Sequence, residues 1–124
     1  MLPAYMLRQL YVKGSLKNLK EADTVKAFAF TLKNRLGTGT IKGQVTLMVD
    51  NEQIPNDLIV VKAGGQTFSV IEVLTKPCKF NVGDSIEFVV NKNGGLSPGQ
   101  HKLLIMVNTI EFGKGQFDVT DTVS

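Results

Sequence analysis

Hydrophobic residues recur at every second position along much of this chain. Val45, Leu47 and Val49 alternate with Gln44, Thr46 and Met48, and Ile86, Phe88 and Val90 alternate with Ser85, Glu87 and Val89. Phe28, Phe30 and Leu32 repeat the pattern. A two-residue period is that of a strand with one buried face. From His101 to Phe112, Leu103, Ile105, Val107 and Thr109 share one face while Leu104, Met106, Asn108 and Ile110 share the other. That double lining predicts a central strand covered on both sides near its middle. Helical patterning is weak. Ser15 to Ala22, with Leu16 and Leu19 three apart, is its best case, too short to hold a helix by itself, and is read as loop.

The segments between the strands carry turn chemistry. Asp50-Asn51 stands between Val49 and Glu52-Gln53-Ile54, and both residues tolerate the positive φ that a two-residue hairpin requires. Gly64-Gly65, Asn93-Gly94-Gly95 and Phe80-Asn81-Val82-Gly83-Asp84 mark further reversals, and Pro55, Pro77 and Pro98 fall where a missing amide proton breaks no ladder. With no helix for a βαβ crossover, the remaining architectures are a barrel and a sandwich. The expected fold is an all-β, antiparallel two-sheet β-sandwich of about eight or nine strands, one domain over residues 1–124.

Composition fits this expectation and narrows the setting. The 124 residues are 43% hydrophobic and 20% charged, too apolar and too balanced in charge for a disordered chain. The longest apolar runs, Leu58 to Val61 and Leu103 to Val107, fall far short of the roughly 20 residues of a membrane helix. The Met1-Leu2-Pro3 start has neither the cationic stretch nor the apolar run of a signal peptide, and the single Cys78 has no internal disulfide partner. A cytoplasmic, reducing location is expected.

The net charge of +3 is unevenly spread: residues 1–42 hold eight basic and two acidic residues, leaving six and nine for residues 43–124. This asymmetry suits either an acidic partner or a set of solvated lysines (Lys13, Lys17, Lys20, Lys26, Lys33 and Lys42) on edge strands and loops. Nucleic acid is not expected as a partner, because the basic residues are not interleaved with exposed aromatics for base stacking.

No motif supplies a self-sufficient reactive centre. His101 is the only histidine, and an acid or base needs a second group to orient it. Of the carboxylate pairs, Asp50 and Glu52 flank a hairpin tip where solvent keeps them ionised, and in Asp84 with Glu87 the second points away from the Ile86 and Phe88 face. Cys78 before Lys79 reads as a small buried hydrophobe. Gly94-Gly95-Leu96-Ser97-Pro98-Gly99 lacks the Lys-Ser/Thr ending of a phosphate loop and reads as a strand connection.

The stretch Gly94-Gly95-Leu96-Ser97-Pro98-Gly99-Gln100-His101 resembles the Gly-Gly-Leu-x-Pro-Gly-x-His segment of the small, β subunits of bacterial C-glycoside deglycosidases. An opening Met6-Leu7-Arg8 strand, Leu16-Lys17-Asn18, Phe28-Ala29-Phe30, Val45 to Asp50, Phe68-Ser69-Val70 and Glu72-Val73 agree in order and spacing. The chain departs from that pattern at Asn34 to Thr38 and Thr109 to Gly113, the loops that would meet a partner or substrate. The resemblance implies an accessory subunit, without catalytic residues, metal or cofactor of its own, in a hetero-oligomeric lyase complex. Its partner would be a (β/α)-barrel large subunit whose divalent metal and acid/base groups cleave the carbon–carbon bond of 3-oxo-C-glycosides.

On that reading Arg35, Leu36 and His101 are partner-interface or site-edge residues, and a homo-oligomer is also allowed. A second reading is a stand-alone carbohydrate- or ligand-binding β-sandwich, weakened by the absence of Trp and by seven Phe at mostly core-facing positions. An autonomous enzyme ranks third.

Overall fold

A computed structural model describes residues 3–74 and 76–123. Met1 and Leu2, on which part of the signal-peptide reading rests, lie outside the described residues. A single helical turn, α1 (Ala4–Leu7), runs into a 3-10 turn at Arg8–Leu10. The strands are β1 (Lys17–Glu21), β2 (Thr24–Lys33), β3 (Gly39–Ile41), β4 (Thr46–Val49), β5 (Glu52–Gln53) and β6 (Ile59–Ala63). They continue as β7 (Gln66–Ser69), β8 (Cys78–Phe80), β9 (Ser85–Val90), β10 (Gly99–Thr109) and β11 (Gly113–Val123). All pairings are antiparallel.

Two sheets result. One has the order β1-β2-β9-β6-β7, and the other β5-β4-β10-β3-β8 with β11 added along β10. This is the all-β, two-sheet sandwich expected from the alternation of apolar positions. Phe28, Phe30, Ile86, Phe88 and Val90 line the first inner face, with Leu47, Leu103, Ile105 and Phe117 opposite, all at most 2% exposed. Phe30 and Phe88 face each other across the β2–β9 pair and stack, their ring centroids 5.1 Å apart. Stacked aromatics bury a large apolar area and fix the strand register.

The hairpin at Asp50-Asn51 forms as its residues require, with φ of 51° and 69°. Three details differ from the sequence expectations. Lys17–Glu21 is a strand and not a loop, since it extends the first sheet by pairing with β2, with a register shift at Leu19/Lys20. Met6-Leu7-Arg8 is helical and not an opening strand, which turns Leu7 into the core and lays Arg8 along β11. β10 is central as expected, but the face carrying Leu104 and Met106 is only half covered. Short pieces such as β5 and β8, too brief for a period-two pattern to reveal, bring the strands among the described residues to eleven. No helix among the described residues is long and apolar enough to cross a membrane.

β10 pairs with β4 through Leu103 to Met106, with β3 at Thr109 and with β11 along its whole length. From His101 to Thr109 it spans about 26 Å, at roughly 3.3 Å per residue. Its two ends carry different chemistry.

Candidate functional site

At the start of β10, His101 is buried beside the β4–β5 hairpin. Its Nδ1 lies 2.6 Å from the Asp50 carboxylate and its Nε2 lies 2.7 Å from the Ser97 carbonyl oxygen. A carboxylate and a carbonyl accept, so this geometry is satisfied on both sides when both ring nitrogens donate, and it favours the imidazolium form. The Asp50 bond, then the Ser97 bond, hold its pKa above the ordinary 6.5. Asp50 in turn is held below its ordinary 3.8 by His101 and by the Lys102 amide, which donates to it at 2.9 Å. The cation thus clamps the β9–β10 loop to the hairpin.

That loop is tightly fitted. Asn18 accepts from the Leu96 amide at 2.9 Å and donates to the Leu96 carbonyl at 2.8 Å. Gly95 has φ of 59°, and a Cβ there would collide with the Asn18 amide oxygen. The Gly-Gly-Leu-Ser-Pro-Gly-Gln-His segment is thereby explained by local folding: glycine where the backbone turns left-handed against Asn18, and histidine where the loop must be pinned.

Opposite His101 on β11 stands Asp121, 5% exposed. It accepts from the Tyr11 hydroxyl at 2.7 Å, from the Gly14 amide at 3.0 Å, from the Leu16 amide at 3.3 Å and from the Thr122 amide at 2.9 Å. Burial alone would raise its pKa, but these four donors outweigh burial and hold it below the ordinary value. Burial, and then the Asp121 bond, push the Tyr11 phenol upward. Asp121 therefore fixes the chain from Tyr11 to Leu16 against β11. Arg8 adds bonds to the Asp118 carbonyl at 2.9 Å and to its carboxylate at 2.7 Å, and Lys13 donates to the Thr120 carbonyl at 3.1 Å.

At the other end of β10 lies an apolar cavity of about 150 Å³ that is partly open to the surface. Leu7 and Leu10, Leu36, Ile41, Val107 and Phe117 form its walls, and it reaches the surface at the exposed Phe112 and Lys114. Gly37, Gly39, Gly113 and Gly115 also line it, leaving room where side chains would otherwise stand. Asn34, buried at the rim, donates to the Gly37 and Phe80 carbonyls at 2.8 Å each and accepts from the Leu36 and Gly37 amides. One amide side chain so shapes the loop that presents Leu36. Across the mouth, Glu111 accepts from the Thr40 amide and hydroxyl at 2.7 and 2.9 Å, bonds that hold its carboxyl below the ordinary value.

Arg35, Leu36 and His101 are not one site. Arg35 is exposed in the β2–β3 loop, Leu36 lines the cavity, and His101 lies at the far end of β10. Cys78 is buried, and burial raises its thiol pKa. Asp84 accepts from the Asn81 amide and closes its turn, while Glu87 lies 3.9 Å from Lys17. Sequence reasoning missed Asp121 and Asn34; a polar residue breaking an alternating run, as Asp121 does after Val119, was the available signal for the first. Among the described residues no group of three or more His, Cys, Asp or Glu could hold a metal ion.

Comparison with known families overturns the C-glycoside deglycosidase resemblance and, with it, the lyase-complex and carbon–carbon cleavage readings. The segment 94–101 that led it is a strand connection whose residues serve the loop and clamp just described. The stand-alone carbohydrate-binding alternative finds no support: its exposed aromatics are Tyr5 and Phe112, and the cavity offers few partners to sugar hydroxyls. No curated protein matches the chain. Residues 6–124 match the model described as the hydroxymethylglutaryl-CoA reductase N-terminal domain, and the chain belongs to that family.

Proposed function

We propose that this chain is a non-catalytic domain of a hydroxymethylglutaryl-CoA reductase, one that supports the part of the enzyme performing the reduction. The family match supplies the reductase. The observation that carries the non-catalytic role is the engagement of His101 on both ring nitrogens. Reducing a thioester calls for a group that can pass a proton to the reacting atoms, and a ring whose two protons face Asp50 and Ser97 has none directed at a substrate. The cavity also suits the substrate poorly, because the hydroxyl and carboxylate of a hydroxymethylglutaryl group need polar partners. A free, buried Cys78 supports a reducing, cytoplasmic setting.

The test is an assay of the purified chain with hydroxymethylglutaryl-CoA and NADH or NADPH, beside the reductase of the same genome with and without the chain. No turnover by the chain alone, together with a higher activity or thermal stability of the reductase in its presence, is expected. Turnover by the chain alone that disappears in His101→Gln would overturn the proposal, as would a reductase indifferent to the chain in both respects.

A further inference from the structure

We infer that the cavity at the Thr109 end of β10 is a binding site for a small apolar group, about the size of a benzene ring or a short alkyl chain. Its volume of about 150 Å³ matches that of an apolar cavity that accepts benzene when lined by Leu, Ile and Phe. Water is a poor occupant. A buried water needs two to four polar partners, and the polar side chains here are already engaged. Asn34 spends its amide on four backbone groups, and the Thr109 hydroxyl donates to the Gly113 carbonyl at 3.1 Å and accepts from the Phe112 amide at 3.0 Å. Lys114 remains, and it stands exposed at the mouth.

The space is a product of the sequence. A Cβ at Gly115 would press on Leu7 at 3.1 Å, whereas one at Gly39 would meet the Phe112 ring at an ordinary 3.6 Å. A side chain at Gly39 would thus fit the fold and occupy the void. Glycine in a strand weakens it; the approach of Leu7 accounts for Gly115, whereas no such close neighbour requires a bare position at Gly39. Phe112, 39% exposed, covers Gly37 and Gly39 and forms the outer wall past which a ligand would enter. The same class of ligand has two sources, a free hydrocarbon or the tail of an amphiphile whose anionic head stays at Lys114. Binding does not depend on the reductase role.

Titration of the isotope-labelled chain with benzene, and separately with hexanoate, followed by methyl NMR, tests the inference. Saturable shifts at the methyls of Leu7, Leu36 and Val107 are expected, weakened about tenfold or more in Gly39→Leu. Leu36→Phe, which fills the void from a half-buried loop position, serves the same purpose if Gly39→Leu does not fold. Binding of benzene alone identifies a free hydrocarbon, and binding of hexanoate at the same methyls identifies an amphiphile. The inference falls if neither probe gives saturable shifts, or if the shifts survive in every filled variant that folds.

Discussion

The two ends of β10 solve opposite problems with opposite materials. At its start, buried charge is held by complete hydrogen bonding: His101 meets two acceptors and Asp121 meets four donors. At its finish, Leu7, Val107 and Phe117 surround a space that side chains do not fill. The first end gains a unique geometry, since a satisfied polar network tolerates few alternatives. The second gives up packing contacts and gains room. A residue's burial alone therefore does not tell which end is structural and which is open to a ligand.

Substitutions sharpen the contrast. Asp121→Ala should have the largest effect, a loss of about 3 kcal/mol or more, because it strands the Tyr11 hydroxyl and the buried Leu16 amide at once. Urea unfolding measures it, and a loss below about 1 kcal/mol would show that water replaces the carboxylate. Leu7→Ala at the apolar end should cost about 2 to 3 kcal/mol, the low side for a buried leucine, since its neighbours already border a void. A cost above about 4 kcal/mol in the same assay would contradict the loose packing assigned to that end.

The glycines should also divide. Gly95→Ala combines a φ of 59° with a collision against Asn18 and should cost about 2 kcal/mol, whereas Gly113→Ala, with φ of 74° and open space around it, should cost about 1 kcal/mol. Equal losses of melting temperature would break this part of the comparison.

The smallest effect is one of slope. Because the folded His101 pKa is raised, its contribution is complete below the unfolded value of 6.5 and fades as pH climbs through the folded value. Asp50, being lowered, contributes above 3.8 and loses that contribution as pH falls through its folded value. Stability should decline as pH rises above 6.5, with a slope of at most about 1.4 kcal/mol per pH unit, and His101→Gln should flatten that decline. The acid side also contains Asp118 and Asp121, so the alkaline side gives the cleaner reading. Parallel profiles for the two proteins would remove the clamp.

Much of the fold was legible because its signals are local. The Val45-Leu47-Val49 alternation, the Asp50-Asn51 turn and the paired glycines each depend on a few neighbouring residues. The charged end was not, because its partners are remote: Asp50 and His101 are 51 positions apart, and Tyr11 and Asp121 are 110 apart. Likewise the cavity combines α1, the Asn34 loop, β3 and the β10–β11 turn, and no stretch of sequence displays an empty space. The loops at 34–38 and 109–113, singled out as departures from another family's pattern, do border it. Family identity failed for a related reason: short β and turn segments recur wherever the same backbone geometry does.

The long reach of Asp121 bears on how the chain acquires its shape during synthesis. Tyr11, Gly14 and Leu16 leave the ribosome well before their acceptor exists. At about 5 to 20 residues per second the delay is roughly 5 to 20 s. Until then β10 lacks β11 along one side, and the stretch 11–15 is held only from β2, where Val12 donates to the Thr31 carbonyl and Tyr11 stacks on Phe30. The final docking of residues 8–16 against β11 should accordingly be a late event, tied to the arrival of one aspartate.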